Sequence, residues 1–271
     1  MTILVNGKAS EHIPVTDRGL AYGDGVFETI LVHQGRPVLL AGHLKRLKFG
    51  LHKLSISLEE SLLTSEIKKI ISDFESACGV LKIIITRGAG GRGYRSNSAQ
   101  SNRILSLQPY VQPAPDMAGI KAFVCRQRLA EQATLAGLKH LNRLEQVLAS
   151  LEWPDDTYQE GLMLSTASQV IEGTRSNLFV RIDGRWVTPD LTLCGVNGVL
   201  RAHLLECWPG RVEVAALPMA DLLNAQEGFF CNSLAGIMPI ASITEGNTVH
   251  SFTPGPLCQT AVSCFADLLS S

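Results

Sequence analysis

No apolar run in the sequence approaches the roughly 18 residues that a membrane-spanning helix needs, which removes a helical membrane anchor from consideration. The first residues, MTILVNGKASEHIPV, lack the basic start and long apolar stretch of a secretory signal. Charge of one sign is also missing. Lys and Arg number 24 against 25 Asp and Glu, a net charge of -1, so no nucleic-acid partner is expected. The seven cysteines are an odd number, scattered singly, with no C-x-x-C pair and no histidine at ligand spacing, and H-E-x-x-H is absent. No metal site is expected, and the thiols read as reduced core residues of a cytoplasmic protein.

What is present suits a compact α/β chain: 271 residues, 45% apolar and 18% charged. Short β-branched segments predict strands at 2–5, 26–33, 36–39, 79–86 and 103–107. Apolar spacing predicts helices through Leu44, Leu47, Leu51 and Leu54 and through Leu62, Ile67, Ile70 and Ile71. Three prolines and no periodicity make 109–119 a linker between an N-terminal domain, 1–108, and a larger C-terminal domain, 120–271. The second half reads as strands at 120–125, 161–166, 175–182, 212–216 and 227–231, with helices near 142–152, 197–208 and 218–225. Two such lobes leave a cleft suited to a small ligand.

Several residues carry chemistry in more than one reading. Lys139 lies in GLKHLNRLEQVL, just before a helix that Asn142 is expected to cap and whose apolar face is Leu144, Val147, Leu148 and Leu151. A positive helix end and a partly apolar cleft lower a lysine pKa and make the amine nucleophilic, although a solvated lysine is the more ordinary reading. Glu172 in VIEGTRSNLF is a turn cap or a partner for a cationic ring nitrogen. CGVNGVLR at 194–201 is a glycine-bracketed turn opening a helix, a geometry that suits anions. Arg46 is a phosphate ligand or a solvated helix arginine. RGAGGRGY at 87–94 matches neither a Walker loop nor a dinucleotide fingerprint and leaves a flexible loop carrying Arg87, Arg92 and Tyr94.

In this order, VTDRGLAYGDGVFETI, HLKRL, LKHLNRLEQVLA, VIEGTRSNLFV and CGVNGVLR resemble the fold-type IV pyridoxal-phosphate enzymes, which include D-amino acid and branched-chain aminotransferases. The resemblance runs nearly end to end and implies a two-domain α+β or α/β fold of the D-amino acid aminotransferase type, with pyridoxal 5'-phosphate in the interdomain cleft. It also implies roles. Lys139 matches the Schiff-base lysine, Glu172 the carboxylate on the pyridine nitrogen and Arg46 the phosphate arginine. Val196 and Asn197 match the phosphate-cup turn through their backbone N–H groups, and Ser233 matches a second phosphate-side loop. Asn197 stands where many relatives have a hydroxyl residue. RGAGGRGY and GLKHLNRLEQVLAS look most like the aminodeoxychorismate lyases, which convert 4-amino-4-deoxychorismate to 4-aminobenzoate and pyruvate in folate synthesis. That likeness implies Thr29 or Lys139 as proton donor, and Arg92, Tyr94, Tyr22 and Arg87 around the substrate. It also implies a homodimer in which Tyr22 and Arg92 act on the neighbouring site. An aminotransferase of the same group is the alternative.

Overall fold

The segments GVFETILVH and CGVLKIIIT pair antiparallel along their whole length, from Gly25 opposite Thr86 to His33 opposite Cys78. Their alternate residues Val26, Ile30 and Val32, with Leu81, Ile83 and Ile85, point to one buried face. The computed structural model describes residues 1–96 and 100–270. The chain divides into two units, Met1–Gln112 with Leu138–Asn142, and Pro113–Gly137 with Arg143–Ser271.

The first unit contains β1 (Thr2–Val5), β2 (Lys8–Ala9), α1 (Arg18–Tyr22), β3 (Gly25–His33), β4 (Arg36–Pro37), α2 (Leu40–Lys53), α3 (Glu60–Ser72), β5 (Cys78–Thr86) and β6 (Asn102–Pro109). Among the described residues its sheet has six strands in the order β2-β1-β6-β5-β3-β4. Leu47 and Leu51 of α2, and Leu63, Ile67 and Ile70 of α3, pack on its buried face, each such side chain contributing about 1.5–3 kcal/mol of apolar burial. β4 covers only the far end of β3, at Val32 and His33. The near end of that edge still has backbone groups to satisfy, and residues 139–141 satisfy them. Phe27 N–H donates to Lys139 O at 2.9 Å, Leu141 N–H donates to Gly25 O at 3.0 Å, and Val26 bridges His140. Lys139, expected within the C-terminal domain, therefore groups with the N-terminal unit, because strand pairing outweighs chain position.

The second unit contains β7 (Ile120–Leu129), α4 (Leu144–Ser150), β8 (Glu160–Ser165), β9 (Val170–Gly173), β10 (Asn177–Ile182), β11 (Arg185–Pro189), α5 (Val199–Cys207), β12 (Val212–Ala215), α6 (Met219–Leu223), β13 (Glu227–Asn232), β14 (Gly236–Glu245), β15 (Thr248–Ser251) and α7 (Pro256–Ser270). Among the described residues its sheet runs β12-β11-β10-β13-β14-β7-β8-β9, with β15 beside β14. Strand β14 was not expected from GIMPIASITE. Pro239 breaks its pattern, yet the strand sits between β13 and β7, with its irregularity absorbed by a register shift between Ile240 and Ser242.

The helix after Lys139 also departs from expectation. It begins only at Leu144, Arg143 occupies the cap position, and Asn142 instead donates from Nδ2 to Gly23 O at 3.1 Å. Lys139 therefore lies beyond the reach of the helix dipole, which acts only within the first turn. Leu144, Val147, Leu148 and Leu151, expected to share one apolar face, are all exposed, and Ala149 is the buried residue of α4.

Candidate active site

In the first unit, the candidate residues follow from strand alternation. Core-facing residues of β3 are apolar except Glu28, which is fully buried among Val26, Ile30 and Val32. A carboxylate there survives only if its oxygens are paired. His43 and Arg46, one turn apart on α2, provide the pairing. His43 Nδ1 lies 2.7 Å from Glu28 Oε2, Arg46 Nε donates to Oε1 at 2.8 Å, and Arg46 Nη2 donates to Oε2. Burial works to raise the Glu28 carboxyl, but the bonds from Arg46 and His43 prevail and hold it below the usual range. Burial lowers His43, opposed by Glu28 and aided by the charges of Arg46 and Lys139, so its imidazole is neutral at physiological pH. Arg46 thus has a fixed guanidinium, and its anchor Glu28 was missed by sequence reading. The legible signal was an acidic residue in phase with Val26, Ile30 and Val32.

The opposite face of β3 carries Phe27 and Thr29. Lys139 Nζ lies 4.5 Å from the centre of the Phe27 ring, and Lys82, directly across from Thr29 on β5, lies 5.6 Å from it. The arrangement puts two amines beside one aromatic ring, with Thr29 paired to Lys82 across the strands. Lys82 was not singled out in the sequence because it reads as the polar position of an alternating strand.

The segment TDRGLAYGDG builds the support of the Gly-rich loop. Asp17, fully buried, caps α1 through Gly19 N and accepts from Thr86 Oγ1 and Asn102 Nδ2. Gly23 ends that helix in the left-handed conformation, φ 64°. Arg18 bonds Asp24 at 2.9 Å, donates to Gly93 O and Tyr94 O at 2.9 and 2.8 Å, and stacks on Tyr22, whose ring meets Tyr94 edge-on at 5.6 Å. Arg92 and Tyr94 are solvent-exposed on this loop. Arg87 differs from expectation. Its guanidinium is committed to Asp24 at 2.7 and 2.9 Å and to the carbonyls of Ser55 and Leu54, so its donors serve the fold. Burial pushes Asp24 up, but Arg87 and Arg18 outweigh it and hold the carboxyl low.

In the second unit, Glu172 sits on β9 with only 4% of its surface exposed. The turn that follows is fixed by Glu160, which accepts from Gly161 N, Thr174 N and Ser176 Oγ. Glu172 Oε2 accepts from Val196 N at 2.8 Å, and its charge acts on Arg143, whose pKa burial nevertheless lowers. Asn197 N donates to Gly137 O at 3.1 Å. Both N–H groups that were expected to face a phosphate therefore have protein acceptors, and that expectation is corrected. The turn is locked further by Asn177 Nδ2 to Val196 O and by Arg201 Nη1 to Asn197 Oδ1. Gly195 takes φ 84°, and a Cβ at Gly198 would lie 1.9 Å from Asn177 Oδ1, which explains both glycines. Ser233 lies in the turn between β13 and β14, shaped by Asn232 Oδ1 accepting from Leu234 N and Ala235 N.

The chain belongs to the class IV aminotransferase family, whose pattern matches residues 25–243, and that family depends on pyridoxal 5'-phosphate. It is 37% identical to an aminodeoxychorismate lyase of Vibrio harveyi, over 94% of this chain and 96% of the relative. It is 44% identical to the crystal structure of a 4-amino-4-deoxychorismate lyase from Pseudomonas aeruginosa, with a TM-score of 0.90 and 98% of each chain covered. A D-alanine aminotransferase of Bacillus licheniformis is 27% identical over 96% of this chain and 94% of the relative. The fold class that the resemblance implied is borne out. Among the described residues no helix is long and apolar enough to cross a membrane.

Proposed function

We propose that this enzyme is a lyase converting 4-amino-4-deoxychorismate to 4-aminobenzoate and pyruvate. The observation that carries the reading is nearly full-length similarity to two such lyases at 37% and 44% identity, against 27% to an aminotransferase. The residues fit the cofactor chemically: Lys139 would offer an amine to its aldehyde, Arg46 and Ser233 would hold its phosphate, and Glu172 would keep its ring nitrogen protonated. Bound by these groups, pyridoxal phosphate supplies an electron sink for the carbon that carries the substrate amine.

Lys139 Nζ would remove the proton from that ring carbon. Thr29 Oγ1, on the same face of β3 as the Phe27 ring under Lys139, delivers a proton to the enolpyruvyl methylene, with Lys139 Nζ as the alternative donor. The C–O bond to pyruvate breaks, and the ring gains aromaticity. Arg92 and Tyr94, exposed on the Gly-rich loop, bind the substrate carboxylates, with Tyr22 beside them. The working form is a cytosolic homodimer in which Tyr22 and Arg92 serve the neighbouring subunit's site, and the exposed apolar residues of α4 support association.

The test is to give the cofactor-loaded enzyme 4-amino-4-deoxychorismate and assay pyruvate and 4-aminobenzoate together. Equimolar formation is expected. Neither product, with brisk amino-group transfer from D-alanine to 2-oxoglutarate instead, would replace this reading by the aminotransferase one.

A further inference from the structure

Cysteines 125, 194, 231 and 258 are buried, as core thiols should be, but Cys207 and Cys264 are not fully enclosed. His203 and Cys207 stand four residues apart on one face of α5, and α7 brings Cys264 against them from 61 residues beyond His203. His203 Nε2 lies 3.3 Å from Cys207 Sγ and 4.0 Å from Cys264 Sγ, and the three ligand atoms lie within 4.8 Å of one another. Metal–sulfur bonds of about 2.3 Å and metal–nitrogen bonds of about 2.0–2.1 Å around a tetrahedral ion put neighbouring ligand atoms roughly 3.5–3.8 Å apart, so small rotamer changes would close the set.

We propose that His203, Cys207 and Cys264 form a binding site for one soft d10 metal ion, such as Zn2+ or Cd2+, which ties the C-terminal helix α7 to α5. Two sulfurs and an imidazole select such ions over Mg2+ or Ca2+, which prefer oxygen. As the ion binds, each thiol releases one proton to solvent and forms one sulfur–metal bond. The acidic groups of Glu206 and Asp267 favour the cation. Cys207 is exposed, so water can complete the fourth position. The cluster was not legible in the sequence, because its third residue comes from a helix that sequence reading did not place. The site rests on the second unit alone and stands apart from the proposed lyase function.

The test uses cofactor-loaded, fully reduced, metal-free enzyme titrated with Cd2+ and followed by ultraviolet thiolate-to-cadmium absorbance. One equivalent should saturate the signal, and Zn2+ should compete it away and raise the melting temperature. Cys207→Ser and Cys264→Ser should each lose both the stoichiometric signal and the Zn2+-dependent rise, while Cys78→Ser keeps them. Absence of a one-to-one signal in the wild-type enzyme, or its persistence in Cys207→Ser/Cys264→Ser, overturns the proposal.

Discussion

Replacing Glu28 by Gln tests whether the buried triad with His43 and Arg46 is what holds the Arg46 guanidinium, the proposed phosphate ligand. The carboxylate is 1% exposed and the Arg46 side chain 11%, so the pair is almost entirely out of water. Removing one partner of a buried pair costs about 3–5 kcal/mol, because the other charge is left uncompensated. Gln keeps the shape and one acceptor oxygen, so roughly 2–4 kcal/mol of stability should be lost, each charge-assisted bond being worth about 1.5–3 kcal/mol. At about 2–4 °C per kcal/mol for a chain of this size, thermal unfolding should shift down by roughly 5–15 °C. Cofactor affinity, followed by fluorescence titration, should weaken at least about tenfold, equivalent to about 1.4 kcal/mol of misplaced guanidinium. Adding Arg46→Met to Glu28→Gln removes the stranded charge, so the double variant should be more stable than the summed single losses by about 1–3 kcal/mol, while binding cofactor no better. Losses that simply add, or a Glu28→Gln enzyme with wild-type stability and cofactor affinity, would refute the triad argument.

Four other changes follow from the same geometry. Lys139→Ala should abolish both the visible absorbance of bound cofactor and turnover, and spectra with a product assay check both. Arg18→Met frees the Gly93 and Tyr94 carbonyls, and steady-state kinetics should show KM raised roughly tenfold with a smaller change in kcat. Gly198→Ala drives a methyl group onto Asn177 Oδ1 and should cost about 1–3 kcal/mol in urea unfolding. His43 has a folded pKa below its ordinary 6.5, so the unfolded chain takes up that proton first; stability is full above about pH 6.5 and falls as pH drops below it. Glu28, depressed from 4.5, adds a further loss below about pH 4.5, and urea midpoints across that range measure both steps.

Strand alternation made β3 and β5 legible, the spacing of Leu44, Leu47, Leu51 and Leu54 made α2 legible, and the five motifs named the family. Those features are local: each depends on residues within one element or one turn. Lys139 and Glu172 were likewise visible because their motifs are contiguous. The sequence alone determined the type of chemistry on offer, an amine, a carboxylate and a guanidinium. Their settings depended on partners distant in the chain. Lys139 joins the edge of β3 because that edge had unpaired backbone groups, and Arg87 is consumed by Asp24, 63 residues away. Glu172 takes the N–H of Val196, while Glu28 is held by α2. Hydrogen-bond donors and acceptors are satisfied by whatever the packing brings near, and packing is a property of the whole fold.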